Sequence, residues 1–296
     1  MLPRIYYNSI HHLHACKTMH PEAPLRVETI MKRLQPYFDQ KRLELLTFHS
    51  KTVPSDAKCQ KSWRLKDGDT YKTAQTDDVL AISRDMISTA VKALMVGETN
   101  CAFVLCRPPG HHAAAKPAGF CHENNAWFAT ELLHAAGKTQ IGIFDWDAHH
   151  GDGTEKLVRE SDLPVRFVST HAYGLGVYPG TGAAYSDAKV MNIPLDVGTR
   201  GPELLAHFRY TILPFLRDSD ILIISAGYDG HEDDPMELLK FTSETYKTMT
   251  EELKALNVPI LFLLEGGYNP NALAECVEAS LTPWIVHKPE LQLPAT

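Results

Sequence analysis

The sequence predicts one α/β domain over residues 1–296, an open parallel sheet with helices on both faces. Three observations predict it. From about residue 78 onward, short apolar runs alternate with stretches of helical periodicity, the pattern of parallel strands joined by crossover helices. The runs are apolar throughout instead of alternating, as strands covered on both faces must be. Each run also ends in an ionisable or glycine-rich tip, and open parallel sheets bind ligands at the carboxyl ends of their strands.

Taken in order, Arg4 to Tyr7 reads as a first strand. A loop, His20-Pro-Glu-Ala-Pro-Leu-Arg26, feeds a helix from about Arg26 to Tyr37. The stretch from Phe48 to Thr73 is polar, contains Pro54 and reads as loop. Asp78 to Val96 reads as helix: Leu80, Ile82, Met86, Ile87, Ala90, Val91 and Leu94 recur at helical spacing, and Gly97 stops it. Strands follow at Ala102–Leu105, Ile141–Phe144, Val165–Val168, Ile221–Ile224 and Ile260–Leu264. Helices are expected at about Asn124–Ala136, Pro202–Leu216, Ser243–Leu256 and Asn271–Leu281.

Composition excludes several classes. Net charge is −7 with no Lys/Arg block, so nucleic-acid binding has no electrostatic footprint. No apolar run approaches a membrane span, and the N-terminus lacks a signal-peptide core. Cys16, Cys59, Cys101, Cys106, Cys121 and Cys276 form no Cys-x-x-Cys pair, which argues for buried thiols in a reducing compartment. The expected setting is therefore soluble and cytoplasmic, or nuclear if the source is a eukaryote.

The tips carry the chemistry. After Ile141–Phe144 come Asp145, Asp147, His149, His150 and Asp152 within eight residues. In extended backbone, side chains two apart share a side, so Asp145, Asp147 and His149 face together. Crowded acids and imidazoles beside a buried strand call for a cation. Asp147 and His149 supply two ligands of a divalent site that needs about three and an open position. Asp229, at the tip after Ile221–Ile224 and with Gly227 allowing close approach, is the third. His111 and His112 follow the rigid turn Pro108-Pro109-Gly110, and Asp145 and Asp152 are available to fix their tautomers for acid–base work. Tyr268 follows Gly266-Gly267 and can offer a phenolic donor to a carbonyl oxygen beside a metal. Such a set equips a protein to hydrolyse an amide.

Arg107-Pro-Pro-Gly-His111-His112, Gly119-Phe120-Cys121, Asp145-Trp-Asp147-Ala-His149-His150-Gly-Asp152-Gly-Thr, Tyr178-Pro-Gly-Thr-Gly, Gly227-Tyr-Asp229 and Glu265-Gly-Gly-Tyr268 together resemble the zinc-dependent histone deacetylase family. The Glu-Gly-Gly-Tyr form is similar to its class II and bacterial deacetylase-like members, including acetylpolyamine amidohydrolases. The resemblance runs from about Cys101 to Ala279 and implies an arginase/deacetylase-like fold. It also implies zinc on Asp147, His149 and Asp229, with His112 as the base and Tyr268 as the oxyanion donor. Phe120, Tyr178, Met236, Gly266, Gly267 and Asp69 would line a tunnel for an acyl-lysine-like chain, Asp69 at its rim, and Arg26 would sit at an inner channel. Asp145, Asp147, His149, Ser169 and Thr170 match a site for a structural potassium ion. One departure stands out: the segment between Phe48 and Asp69 is short and has Val53 where the family pattern places a tyrosine.

The residues weigh against the rivals. A two-manganese ureohydrolase would want an acid at position 151 and another at 227, and this chain has Gly151 and Gly227. A non-catalytic acyl-lysine binder would lack a ligand or Tyr268, and none is missing. Protein or peptide acyl-lysine is favoured over acetylated polyamine, because Met236 is apolar where a polyamine-selective branch carries a glutamate. Zinc is the expected metal, although iron(II) or cobalt suits the same oxygen-rich ligand set.

Overall fold

The computed structural model describes residues 1–285 apart from 17, 18, 55, 60 and 66, so the last eleven positions of the expected 1–296 domain lie outside the described residues. Its strands are β1 (Arg4–Asn8), β2 (Glu44–Phe48), β3 (Ser62–Arg64), β4 (Tyr71–Thr73), β5 (Cys101–Val104), β6 (Ile141–Asp145), β7 (Val165–Ala172), β8 (Tyr185–Ser186), β9 (Val190–Leu195), β10 (Ile221–Ala226) and β11 (Ile260–Leu264). The helices are α1 (Leu25–Asp39), α2 (Thr76–Met95), α3 (Asn125–Ala135), α4 (Asp152–Glu160), α5 (Gly201–His207), α6 (Leu213–Leu216), α7 (Ser243–Lys254) and α8 (Pro270–Leu281).

Nine strands make one sheet in the order β2-β1-β5-β11-β10-β6-β7-β9-β8, with β3 and β4 forming a separate two-stranded ribbon. Every pairing in the sheet is parallel except β8 with β9. Alternate strand residues serve two cores, as the two-residue period of a strand requires. Ile143, Ile223 and Leu261 pack on one face with Val79, Met86 and Leu133 of α2 and α3. Phe144, Ile224 and Phe262 pack on the other with Ile30, Met249 and Val277 of α1, α7 and α8. Complete burial of such a side chain is worth roughly 1.5–3 kcal/mol, so the four central strands are the most firmly held part of the chain.

The sheet also sets the place for chemistry. Strands β5 and β6 are consecutive in the chain, yet β11 and β10 lie between them. Open α/β sheets bind ligands at such a switch, outside the carboxyl ends of the strands. The tips after β5, β11, β10 and β6 are neighbours there.

Several sequence expectations need correction. The stretch from Phe48 to Thr73 is not all loop: β3 and β4 pair antiparallel within it, Trp63 opposite Lys72. Three-residue strands, β3 mostly exposed and β4 mostly buried, leave too little periodicity to read. Edge strand β2 has one paired side and alternates partly buried with exposed residues, and β9 contains Pro194 and Asn192, so neither resembled the apolar central runs. Helix α4 begins at Asp152 itself, hidden within the polar cluster. The expected helix over Pro202–Leu216 is α5, a widened π turn at Phe208–Ile212 and then α6. Pro214 follows that turn and has no N–H to donate to it.

Candidate active site

β6 ends at Asp145, and the next residues turn back so that their backbone caps the acids. Asp145 Oδ1 accepts from the Asp147 amide at 3.1 Å, and Asp147 Oδ1 accepts from the His149 amide at 2.9 Å. Asp229 arrives from the tip of β10, and its Oδ1 accepts from the Ala148 amide at 2.8 Å. That leaves Asp229 Oδ2 at 2.8 Å and Asp147 Oδ1 at 3.1 Å from the same nitrogen, His149 Nδ1. One ligand atom from each of the three lies within 4.8 Å of the others.

This trio fits a divalent cation. Both aspartates are fully buried, and two buried carboxylates facing each other need a positive partner. Burial and the Asp147 charge push the Asp229 carboxyl up to about 7. Burial alone would lower the His149 pKa, but the Asp229 and Asp147 carboxylates raise it to about 10. The three groups thus hold a proton tightly where a metal ion would take its place. Two glycines leave room for the acids. A Cβ at Gly227 would come within 2.1 Å of Asp147 Oδ2, and one at Gly266 within 2.5 Å of it and 2.6 Å of Asp229 Oδ2. An acid at position 227, which a second metal would want, has no space.

The tandem histidines divide the two remaining aspartates. His111 Nδ1 is 3.0 Å from Asp145 Oδ2, and His112 Nδ1 is 2.7 Å from Asp152 Oδ1. Burial works against a charged His111, but Asp147 and Asp145 outweigh it and raise its pKa well above the ordinary range. Burial and the neighbouring His111 lower His112 to about 4, against the pull of Asp152. A histidine that is neutral at pH 7, with one nitrogen held by a carboxylate, is prepared to accept a proton.

His112 and His149 form part of the wall of a cavity of about 160 Å³, together with Asp69, Gly119, Phe120, Tyr178, Met236 and Tyr268. The His112 and Tyr178 rings meet edge to face at 4.9 Å, as do Phe120 and Tyr268 at 5.8 Å. Burial and then the Asp229 and Asp147 charges push the Tyr268 phenol well up, which keeps it protonated and able to donate. A wider hollow of about 520 Å³ between α1 and α8 is lined by helix-surface groups such as Glu28, Lys32 and Arg33 and by none of these residues.

Gly266 and Gly267, expected in the tunnel wall, do not line the cavity. Their backbone is committed beneath it: the Gly266 amide donates to Asp147 Oδ2 at 2.8 Å, and the Gly267 carbonyl accepts from Arg26 Nε at 2.5 Å. Arg26 also donates to the Glu265 carbonyl and stacks 5.1 Å from the Tyr268 ring centroid. Ser169 pairs in register with Asp145, and its hydroxyl lies 2.9 Å from His171 Nδ1. Thr170 has a buried hydroxyl with no hydrogen-bond partner among the described residues.

Some groups went unassigned in the sequence. Asp234 accepts from the Tyr268 and Asn269 amides at 2.6 and 3.2 Å and from the Met236 amide at 3.0 Å. Glu22 is fully buried between Arg107 Nε at 2.7 Å and Arg26 Nη1 at 3.2 Å, and it accepts from the Tyr71 hydroxyl at 3.0 Å. The Glu265 side chain points toward the tandem-histidine loop. The strand-end position of Glu265 matches that of Asp145 and was the one local signal available.

The sequence profile of the histone deacetylase domain matches residues 8–283. The chain belongs to the histone deacetylase family. Histone deacetylase 14, chloroplastic, of Arabidopsis thaliana is 33% identical over 311 residues, covering 89% of this chain and 72% of that protein. Histone deacetylase 15 of the same plant is 33% identical over 238 residues, 76% of this chain but 43% of its own length. A probable deacetylase of Archaeoglobus fulgidus is 37% identical over 196 residues, 61% of this chain and 53% of that one. Among solved structures, the crystal structure of the HDA15 HD domain superposes with a TM-score of 0.86 at 27% identity, over 96% of this chain and 88% of that chain. The sheet is thus the α/β arginase/deacetylase fold. Membership of the histone deacetylase family supports a deacetylase function, the hydrolysis of an amide bond. No helix among the described residues is long and apolar enough to cross a membrane.

Proposed function

We propose that this chain is one catalytic domain and a zinc-dependent deacylase that removes acetyl or a related acyl group from lysine side chains of proteins or peptides. The observation that carries the proposal is the Asp147–His149–Asp229 trio beside a narrow cavity whose wall includes His112 and Tyr268. Asp147, His149 and Asp229 would hold zinc, for which iron(II) or cobalt can substitute. Zinc bound there would polarise the acyl carbonyl and make water acidic enough to attack at neutral pH.

The chain's own groups do the rest. His112, neutral and oriented by Asp152, takes the proton from the attacking water at the nitrogen not bound to Asp152. His111, held charged by Asp145 and Asp147, supplies positive charge next to it. The Tyr268 hydroxyl donates to the carbonyl oxygen as negative charge develops there. Phe120 and Tyr178 flank the slot that takes the lysine methylenes, with Met236 adding apolar wall and Asp69 an acid at the exposed rim. A potassium ion near Asp145, Asp147, His149, Ser169 and Thr170 is supported by the unpartnered Thr170 hydroxyl.

A turnover panel on purified protein with measured metal content tests this reading: acetyl-lysine peptide, longer acyl-lysine peptides and acetylated polyamines. Acetyl-lysine peptide is expected to give the highest kcat/KM. Preference for acetylated polyamine would move the substrate to that class, and ligand binding without turnover would make the protein a reader of acyl-lysine.

A further inference from the structure

Glu265 follows β11 directly and is fully buried. Its carboxylate reaches across two strand boundaries. Oε2 accepts from the Gly110 amide at 2.6 Å and from the His111 amide at 3.1 Å, both on the loop after β5. Oε1 receives the Ser225 hydroxyl at 3.3 Å, near the end of β10. The same residue's backbone is fixed too, with its amide donating to Ala226 at 3.1 Å and its carbonyl accepting from Arg26. Strands β5, β11 and β10 are neighbours in the sheet, so one side chain ties together three tips. These tips bear the tandem histidines, Tyr268 and Asp229.

Among the described residues, no other acceptor takes the Gly110 and His111 amides. Neither donor can reach water, since Gly110 and His111 are both buried, and an unmade buried hydrogen bond is costly. Space is exacting as well. A Cβ on Gly110 would come within 2.5 Å of the Asn125 amide nitrogen, so the loop is packed directly against the start of α3.

We propose that Glu265 is a positioning residue for deacylation: its carboxylate clamps the Gly110–His111 backbone and thereby sets the distance between the histidine pair and the Tyr268 loop. The inference rests on the deacylase reading above. It requires an oxygen acceptor of this length at position 265. Glutamine keeps that acceptor, aspartate is one carbon too short to reach both amides, and alanine removes it.

The experiment compares Glu265→Gln, Glu265→Asp and Glu265→Ala in the full chain loaded with zinc, using an acetyl-lysine peptide. Misplacement of catalytic groups by about 1 Å can cost on the order of 10² in rate. Glu265→Asp and Glu265→Ala should therefore lose about 10- to 100-fold in kcat, with KM within about threefold and one zinc per chain retained. Glu265→Gln should stay within about threefold of wild type in kcat. Amide hydrogen exchange over residues 107–112 gives a readout free of activity: slow in wild type and Glu265→Gln, fast in Glu265→Asp and in any alanine variant that folds. Wild-type kcat in Glu265→Asp, or a Glu265→Gln variant as impaired as Glu265→Asp, would overturn the clamp. If wild type itself shows no turnover, the deacylase reading fails, and equal exchange in all variants would separately remove the clamp.

Discussion

Two regions converge on the cavity and are built on different physics. The floor of the candidate site comes from the tips of β5, β11, β10 and β6, four adjacent strands whose residues are buried on both faces. Its acids are held by nearby backbone amides, those of Ala148, His149 and Gly266 among them. The rim comes from the N-terminal loop and the β3–β4 ribbon. It is tied down by side-chain charge, with Glu22 joining Arg26, Arg107 and Tyr71 in the interior. His20 then bridges rim to tunnel, with Nε2 at 3.1 Å from the Asp69 carbonyl and its ring 4.7 Å from Phe120. The floor's acids are held by backbone hydrogen bonds, and the rim network joins the floor through Arg26, which donates to the Glu265 and Gly267 carbonyls. A rim held by ionised side chains can be loosened by substitution or by pH while the Asp147, His149 and Asp229 trio, held by the Ala148, His149 and Gly266 amides, stays in place.

The largest expected effect falls on the floor. Asp229→Ala leaves the buried Asp147 and His149 with one fewer ligand, and it should lose both metal and turnover. Elemental analysis beside an activity assay checks this. Retained stoichiometric zinc would mean that another group completes the site, and two transition-metal ions per active wild-type chain would sink the mononuclear reading.

Tyr268→Phe should come next. Losing one oxyanion donor typically costs about 10²–10³ in kcat, on the order of 3–4 kcal/mol. Metal content and affinity for an acyl-lysine peptide should hold, because the phenol matters most in the transition state. Its backbone has little freedom, since Asp234 takes the Tyr268 and Asn269 amides and Arg26 the Gly267 carbonyl. A swing of the whole Gly-Gly loop is therefore not expected. Unchanged kcat in the variant would take the phenol out of the mechanism.

Breaking the rim tests stability instead of chemistry. Glu22→Ala strands two buried guanidiniums, and removing one partner of a buried ionic network costs about 3–5 kcal/mol. Thermal unfolding should shift down sharply while any folded fraction keeps its zinc. An unchanged Tm would show that the network contributes nothing.

The same network has a pH signature. Burial would raise the Glu22 carboxyl, but Arg107 and Arg26 hold it down at about 2, against an ordinary 4.5. The folded protein thus binds fewer protons than the unfolded chain between these values. Its stabilising contribution is complete above about pH 4.5 and is lost as pH falls toward 2. His11, lowered to about 3 chiefly by burial and then by Arg107, adds a loss that begins as pH falls below 6.5. Unfolding followed by circular dichroism from pH 7 to 3 should show stability declining with acid, and less steeply in Glu22→Gln. Parallel curves would remove Glu22 from the account.

The smallest effect belongs to the outermost residue. Asp69 is exposed at the cavity, where ion pairs and hydrogen bonds to substrate compete with water. Asp69→Asn should raise KM a few-fold, about 1 kcal/mol or less, and leave kcat near wild type. A collapse in kcat would promote the rim acid into the catalytic machinery.

What the sequence determined alone is whatever short-range pattern can encode. Continuous apolar runs such as Ile221–Ile224 announced the buried strands, and the polar group ending each run announced the edge at which the chemistry gathers. The candidate ligands Asp147 and His149 stood out in the sequence because they lie two apart just after an apolar run, and the histidine pair because a proline–glycine turn precedes it. The extended backbone expected past Asp145 is not what joins them, since β6 ends there and the chain bends. Only the tertiary structure decided the pairings. That His111 takes Asp145 and His112 takes Asp152 depends on contacts 34 and 40 residues apart, and either match suits the local sequence. Asp229 meets His149 across 80 residues because β10 lies beside β6 in the sheet. Strand order is chosen by the packing of two cores, and no window of sequence contains it. Glu22 and Asp234 were silent, and Glu265 carried only its strand-end position, for the same reason: each acts on backbone or charge brought to it from a distant segment, where burial makes an unmet donor or an unpaired ion too costly to leave.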